Sequence, residues 1–165
     1  MEAALATIIV GAGVFATFNL FASCTKQNRL AGQMSVAMML VSNAQEAMGG
    51  FAFSDPGLAL AYFGPEPGEV LATYDDVDDF DGSTLNPPID SLRAPIEQLS
   101  QYSQVISVWP VRPNSPSDNS NESAPDVPKS SYTGAVRVRV RILYRVTPEA
   151  IPEEVYRASW IRLDR

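Results

Sequence analysis

The sequence predicts an α+β protein, a long N-terminal helix packed on a small antiparallel β-sheet, and three observations predict it. Ala3 to Thr25 is a run of 23 residues without a charge, with Glu2 in front and Lys26 and Arg29 behind. From there to Met48, apolar residues recur at three- and four-residue steps, the period of one helix face. Near the C-terminus, Gly134 to Thr147 and Glu154 to Leu163 alternate from residue to residue, the period of a strand with one buried face.

At about 1.5 Å of rise per residue the charge-free run reaches about 34 Å, enough to cross a hydrocarbon core of about 30 Å. Residues 1–25 are read as the transmembrane part of a stem helix and residues 26–50 as its amphipathic part. Thr7, Thr17, Asn19 and Ser23 make the run less apolar than a plain anchor, while Gly11 and Gly13 leave gaps where another helix can approach closely. Glu2 is costly at a membrane edge unless it reaches water or a cation, which implies a partner. In the second part Leu30, Met34, Ala37, Met38, Val41, Ala44 and Met48 form the apolar face. That face has three possible uses: the chain's own sheet, a neighbouring subunit's helix, or one on each side. Gly49-Gly50 stops the helix.

These residues resemble the N-terminal segment of type IV prepilins, particularly minor pilins and the minor pseudopilins of type II secretion. The resemblance covers the first third of the chain. It is carried by Glu2, Gly11 nine residues on, Gly11-Ala12-Gly13, Leu20-Phe21, Asn28-Arg29 and the Ala- and Met-rich continuation to Met48. It implies a structural subunit inserted through its stem into a filament, with Glu2 neutralising the amino terminus of an adjacent subunit. The implied partners are other pilin or pseudopilin subunits, an inner-membrane assembly platform and the membrane itself. Two features depart from the family. Its members carry a short basic leader ending in glycine, then a phenylalanine or similar residue before the glutamate, whereas Glu2 here follows Met1 directly. Either the leader and first mature residues lie outside this chain, or cleavage is not part of its biology. Many major pilins also have a proline in the second half of the membrane segment, and here the first proline is Pro56.

Orientation is taken from the resemblance rather than from the flanking charges. Lys26 and Arg29 alone would hold their end in the cytoplasm, and a basic leader upstream would reverse the balance. The expectation is a single pass through the inner membrane with the head outside the cytoplasm, or an extracellular filament. The alternative is a non-polymerising, membrane-anchored envelope domain that binds a protein partner or calcium. A lipoprotein modified at Cys24 is disfavoured, because the helix pattern continues straight through that residue and Phe21 stands three before it.

Beyond the stem, residues 51–100 read as an irregular acidic connection and residues 101–165 as the sheet head, with a flexible loop at 114–131. The connection holds Asp75-Asp76-Val77-Asp78-Asp79-Phe80-Asp81, five aspartates in seven residues, a stretch that also resembles some minor pilins. Calcium is the cofactor such carboxylates suit, with Asp76, Asp78, Asp79 and Asp81 as candidate ligands; the alternative is that they cap local turns while Tyr74, Val77 and Phe80 pin the loop to the core. Tyr102 to Trp109 is a strand ended by Pro110, read as the first of the sheet. Asn121-Glu122-Ser123 matches a glycosylation triplet.

In the Gly134–Thr147 strand, Arg137, Arg139, Arg141 and Arg145 share one face. They are candidate contacts for an acidic partner such as a neighbouring subunit, because Glu46 to Asp126 carries 14 acids against 2 arginines and Lys129 to Arg165 carries 8 bases against 4 acids. The alternative is a solvated face whose charges discourage aggregation. The net charge of −7 argues against nucleic acid as a partner. With no histidine the chain lacks the commonest general base, its lone thiol lies in the charge-free run, and no phosphate-cradling glycine loop or nucleophile elbow appears, so the reading is non-enzymatic.

Overall fold

The computed structural model describes residues 2–53, 63–114, 127–129 and 133–164. The layout is α+β. The chain forms two compact units, Met1–Val36 and Ala37–Arg165, and its long helix α1 (Glu2–Gly49) begins in the first and ends in the second. The second unit also holds one antiparallel sheet in chain order: β1 (Thr84–Leu85), β2 (Tyr102–Pro110), β3 (Ala135–Tyr144) and β4 (Glu153–Leu163).

In the first unit the apolar side chains from Ile8 to Phe21 lie exposed, Phe21 to 72%. Its threonines do not leave free hydroxyls on that surface. Thr7, Thr17 and Thr25 each donate to the carbonyl four residues back, those of Ala3, Gly13 and Phe21. The helix is long and apolar enough to cross a membrane.

In the second unit the sheet's core face carries Ile106 and Val108 from β2 and Val136, Val138, Val140 and Ile142 from β3, all buried. The alternation expected of β3 is therefore present, although the strand has a bulge after Ile142 and ends at Tyr144, three residues short of the expected end. The β2 strand is not the first of the sheet, since two-residue β1 precedes it. It also continues through Pro110, whose partner is Val136. On the β1 side of β2 the Ile106 and Val108 N–H groups donate outwards, so the N–H missing from Pro110 falls on an edge that β1 is too short to pair.

Helix α1 covers this core face with Ala37, Leu40, Val41, Ala44, Ala47 and Met48, all buried. The phase differs from the expected one. Leu30, Met34 and Met38 stay 39–49% exposed, while Leu40 and Ala47, not counted on the expected face, are buried. Two side chains tie helix to sheet. Buried Gln104 of β2 donates from Nε2 to the Leu40 carbonyl at 2.9 Å and accepts at Oε1 from the Ile89 N–H at 2.7 Å. Arg162 of β4 donates to the carbonyls of Met48 and Phe51, where α1 stops at Gly49 as expected. A guanidinium at a helix C-terminus meets orphan carbonyls and the negative end of the helix dipole.

Apart from β1, residues 63–100 are irregular, with short 3-10 turns at Asp78–Phe80 and Glu97–Leu99. The expected loop at 114–131 and the Asn121 triplet lie mostly outside the described residues.

Candidate functional site

The aspartate run folds as a self-capping turn. Asp76 Oδ1 accepts from the backbone N–H groups of Asp78 and Asp79 at 3.0 and 3.2 Å. Asp79 Oδ2 accepts in return from those of Asp75 and Asp76 at 3.0 and 3.2 Å, a reciprocal arrangement like a capping box. Asp78 Oδ2 accepts from the Gly64 N–H at 3.0 Å, fastening the preceding loop. Asp81 leaves the group altogether: Oδ1 accepts from the Val108 N–H at 2.9 Å, and Oδ2 pairs with Lys129. Val77 and Phe80 are fully buried, with Tyr74 edge-on to Phe80 at 5.2 Å and Phe51 stacked on it at 5.8 Å.

Asp76, Asp78, Asp79 and Asp81 thus do not converge on one point; of the two readings the sequence offered, this geometry is that of carboxylates capping local turns. The reason is local: each carboxylate lies close to backbone N–H groups that have no ladder partner, and accepting from them satisfies both.

The chain matches no family model, no curated protein and no solved structure.

A different trio does converge. Glu66, Glu69 and Asp79 bring one carboxylate oxygen each to within 4.8 Å of one another. Glu66-Pro67-Gly68-Glu69 is a tight turn closed by the Glu69 N–H on the Glu66 carbonyl at 3.0 Å, with Gly68 at φ 101°. Proline second and glycine third with positive φ are the type II pattern, which draws the first and fourth residues together. Burial of Asp76, with Asp78 beside it, pushes its carboxyl up to about 8. Burial raises Asp78 and Asp79 as well, and the neighbouring Glu66 carboxyl raises Glu69.

The arginines are less available than expected. Arg137 and Arg139 are 6% and 4% exposed, so the row is not a solvent-facing strip. Arg139 lies over the Trp109 ring at 4.8 Å. Arg141 is half-buried and 3.9 Å from Glu154 on β4, and Arg145 donates to Asn86 Oδ1 at 2.8 Å. The sequence did not show that this face would be covered, because alternation separates two faces without saying what lies on either.

In the stem, Glu2 occupies the first turn of α1 and is exposed. A Cβ added at Gly11 or Gly13 would meet nothing within 4 Å, so the chain's own packing does not require glycine there. An open groove of about 700 Å³ lies between Met48, Phe51, Phe53, Val77 and Trp160, and the Arg162 guanidinium on its wall is engaged by the helix end.

Proposed function

We propose that the chain is a minor pilin or pseudopilin subunit, inserted through α1 into a type IV pilus or type II secretion-like filament with its head outside the cytoplasm. The observation that carries this reading is one helix with two kinds of surface. Glu2 to Phe21 offers apolar side chains with no partner in the chain among the described residues, whereas Ala37 to Met48 of the same helix is part of the head's core. Both stretches belong to the one helix α1. The exposed Leu30, Met34 and Met38, spaced by four, supply a second apolar line beside the one facing the sheet. Glu2 is the residue that reads an incoming amino terminus, and Gly11 and Gly13 are where a neighbouring stem packs.

The test is Glu2→Ala in the native cells. The chain should stay in the membrane at the wild-type level while filament incorporation falls to background. Cys24, the lone cysteine, is exposed on the stem and serves as a reporter, since oxidative cross-linking through it should trap another stem in the wild type and not in the variant. Unchanged incorporation would leave the stationary anchored domain as the function.

A further inference from the structure

The trio Glu66, Glu69 and Asp79 concentrates three carboxylates, and two independent features say that something other than the chain balances them. The first is an orphan atom. Asp79 is 1% exposed, its Oδ2 is engaged by two backbone N–H groups, and its Oδ1 is buried with no hydrogen-bond donor. A buried carboxylate oxygen left without a partner is among the costlier groups a fold can contain. The second is the absence of a counter-charge. Among the described residues the ion pairs of the acidic region and β4 join Lys129 to Asp81 and Arg141 and Arg157 to Glu154, and none reaches the trio.

The frame around the trio is fixed before any ligand arrives. The Glu66–Glu69 turn is closed by its own backbone bond, Gly64 is bonded to Asp78, and Asp79 is held by its reciprocal bonds with Asp76. Hard oxygen ligands of this kind select a hard cation. Magnesium is ordinarily held through one or two carboxylates and keeps several waters, whereas the larger calcium takes more protein oxygens in a flexible shell, so three converging carboxylates suit calcium.

We propose that Glu66, Glu69 and Asp79 bind one calcium-sized divalent cation, with water completing the shell, and that the ion fastens the 63–69 loop to the Asp78–Phe80 turn. Three protein carboxylates place its affinity on the order of 10⁻⁴ to 10⁻³ M, the range of modules that work outside the cytoplasm. The site is independent of the filament reading, and either can fail without the other.

The experiment uses the full chain in detergent micelles, stripped with chelator and titrated with calcium chloride alone, read by calorimetry and by thermal unfolding. One equivalent should bind, and about 5 mM calcium should raise the unfolding midpoint by about 5 °C. Glu66→Gln removes one ligand charge and leaves the turn's backbone bonds in place, so it should weaken binding at least about tenfold. Asp79→Asn keeps an acceptor oxygen for Asp75 and Asp76 and should do the same. The proposal is overturned if the wild type neither binds nor is stabilised at that concentration, or if both variants bind as the wild type does. Magnesium binding as tightly as calcium would overturn the assignment of size.

Discussion

The same helix has two different surroundings. From Ile8 to Phe21 nothing among the described residues covers its large apolar side chains, while from Ala37 to Met48 every third or fourth residue is buried against the sheet. Apolar residues dominate both stretches. What separates them is that the second has Gln104 and Arg162 reaching its carbonyls and a face of valines beneath it. An apolar helix is not by itself a core element; the groups brought to it from far along the chain make it one.

That contrast is open to direct attack. Both tryptophans, Trp109 and Trp160, belong to the second unit, so their fluorescence follows unfolding of the head alone. Leu40→Ala should have the largest effect, lowering stability by about 3 kcal/mol and the midpoint by roughly 10 °C through the cavity it leaves. The matching change in the first unit, Leu20→Ala, should leave the tryptophan-reported midpoint within about 0.5 kcal/mol of the wild type. A fall in the head's midpoint with Leu20→Ala would mean that the two stretches are not energetically separate.

Gln104→Leu sharpens the comparison from the sheet side. It leaves the Ile89 N–H and carbonyl without their buried partner, and should cost about 2 kcal/mol although the new side chain is more apolar. A neutral or stabilising result would mean that water or a backbone shift replaces the amide. A smaller loss, about 1 kcal/mol, belongs to Arg162→Met, which keeps the aliphatic stem and removes the cation at the helix end. Amide hydrogen exchange should quicken between Ala44 and Gly49 in that variant and remain unchanged near Leu20.

Much of this fold was legible in the sequence because its signals are periodic. The charge-free run, the alternating valines of β3 and the Gly49-Gly50 stop each require one kind of local structure. The phase of the helix was not legible. Apolar residues occupy more than one side of α1 after Leu30, so Met34 and Met38 fit a buried face as well as Leu40 and Ala47 do, and only the position of the sheet decides. Gln104 and Arg162 read as ordinary strand residues, since a hydrogen bond to a carbonyl 64 or 114 residues away leaves no local trace.

The acidic region divides in the same manner. The dense aspartates drew the sequence reading, yet backbone N–H groups engage most of them, and Glu66 and Glu69 join Asp79 instead. Their signal was present in Glu66-Pro67-Gly68-Glu69, a turn sequence that places its two ends side by side. The five aspartates obscured it because density of charge says nothing about which oxygens remain after the turn has closed.

The order in which the head's parts leave the ribosome follows from the distances along the chain between them. The helix stripe from Ala37 to Met48 is made first and waits 64 residues for Gln104, then longer still for the guanidinium that ends it. Because the sheet runs β1 to β4 in sequence, its pairing can begin as each strand appears, but Arg162 arrives only with the last strand. The head therefore completes only once β4 has been made, and until then the stripe from Ala37 to Met48 stands uncovered. Nascent chains arrested before β4 should be captured by a chaperone or a membrane surface, and chains released after it should not.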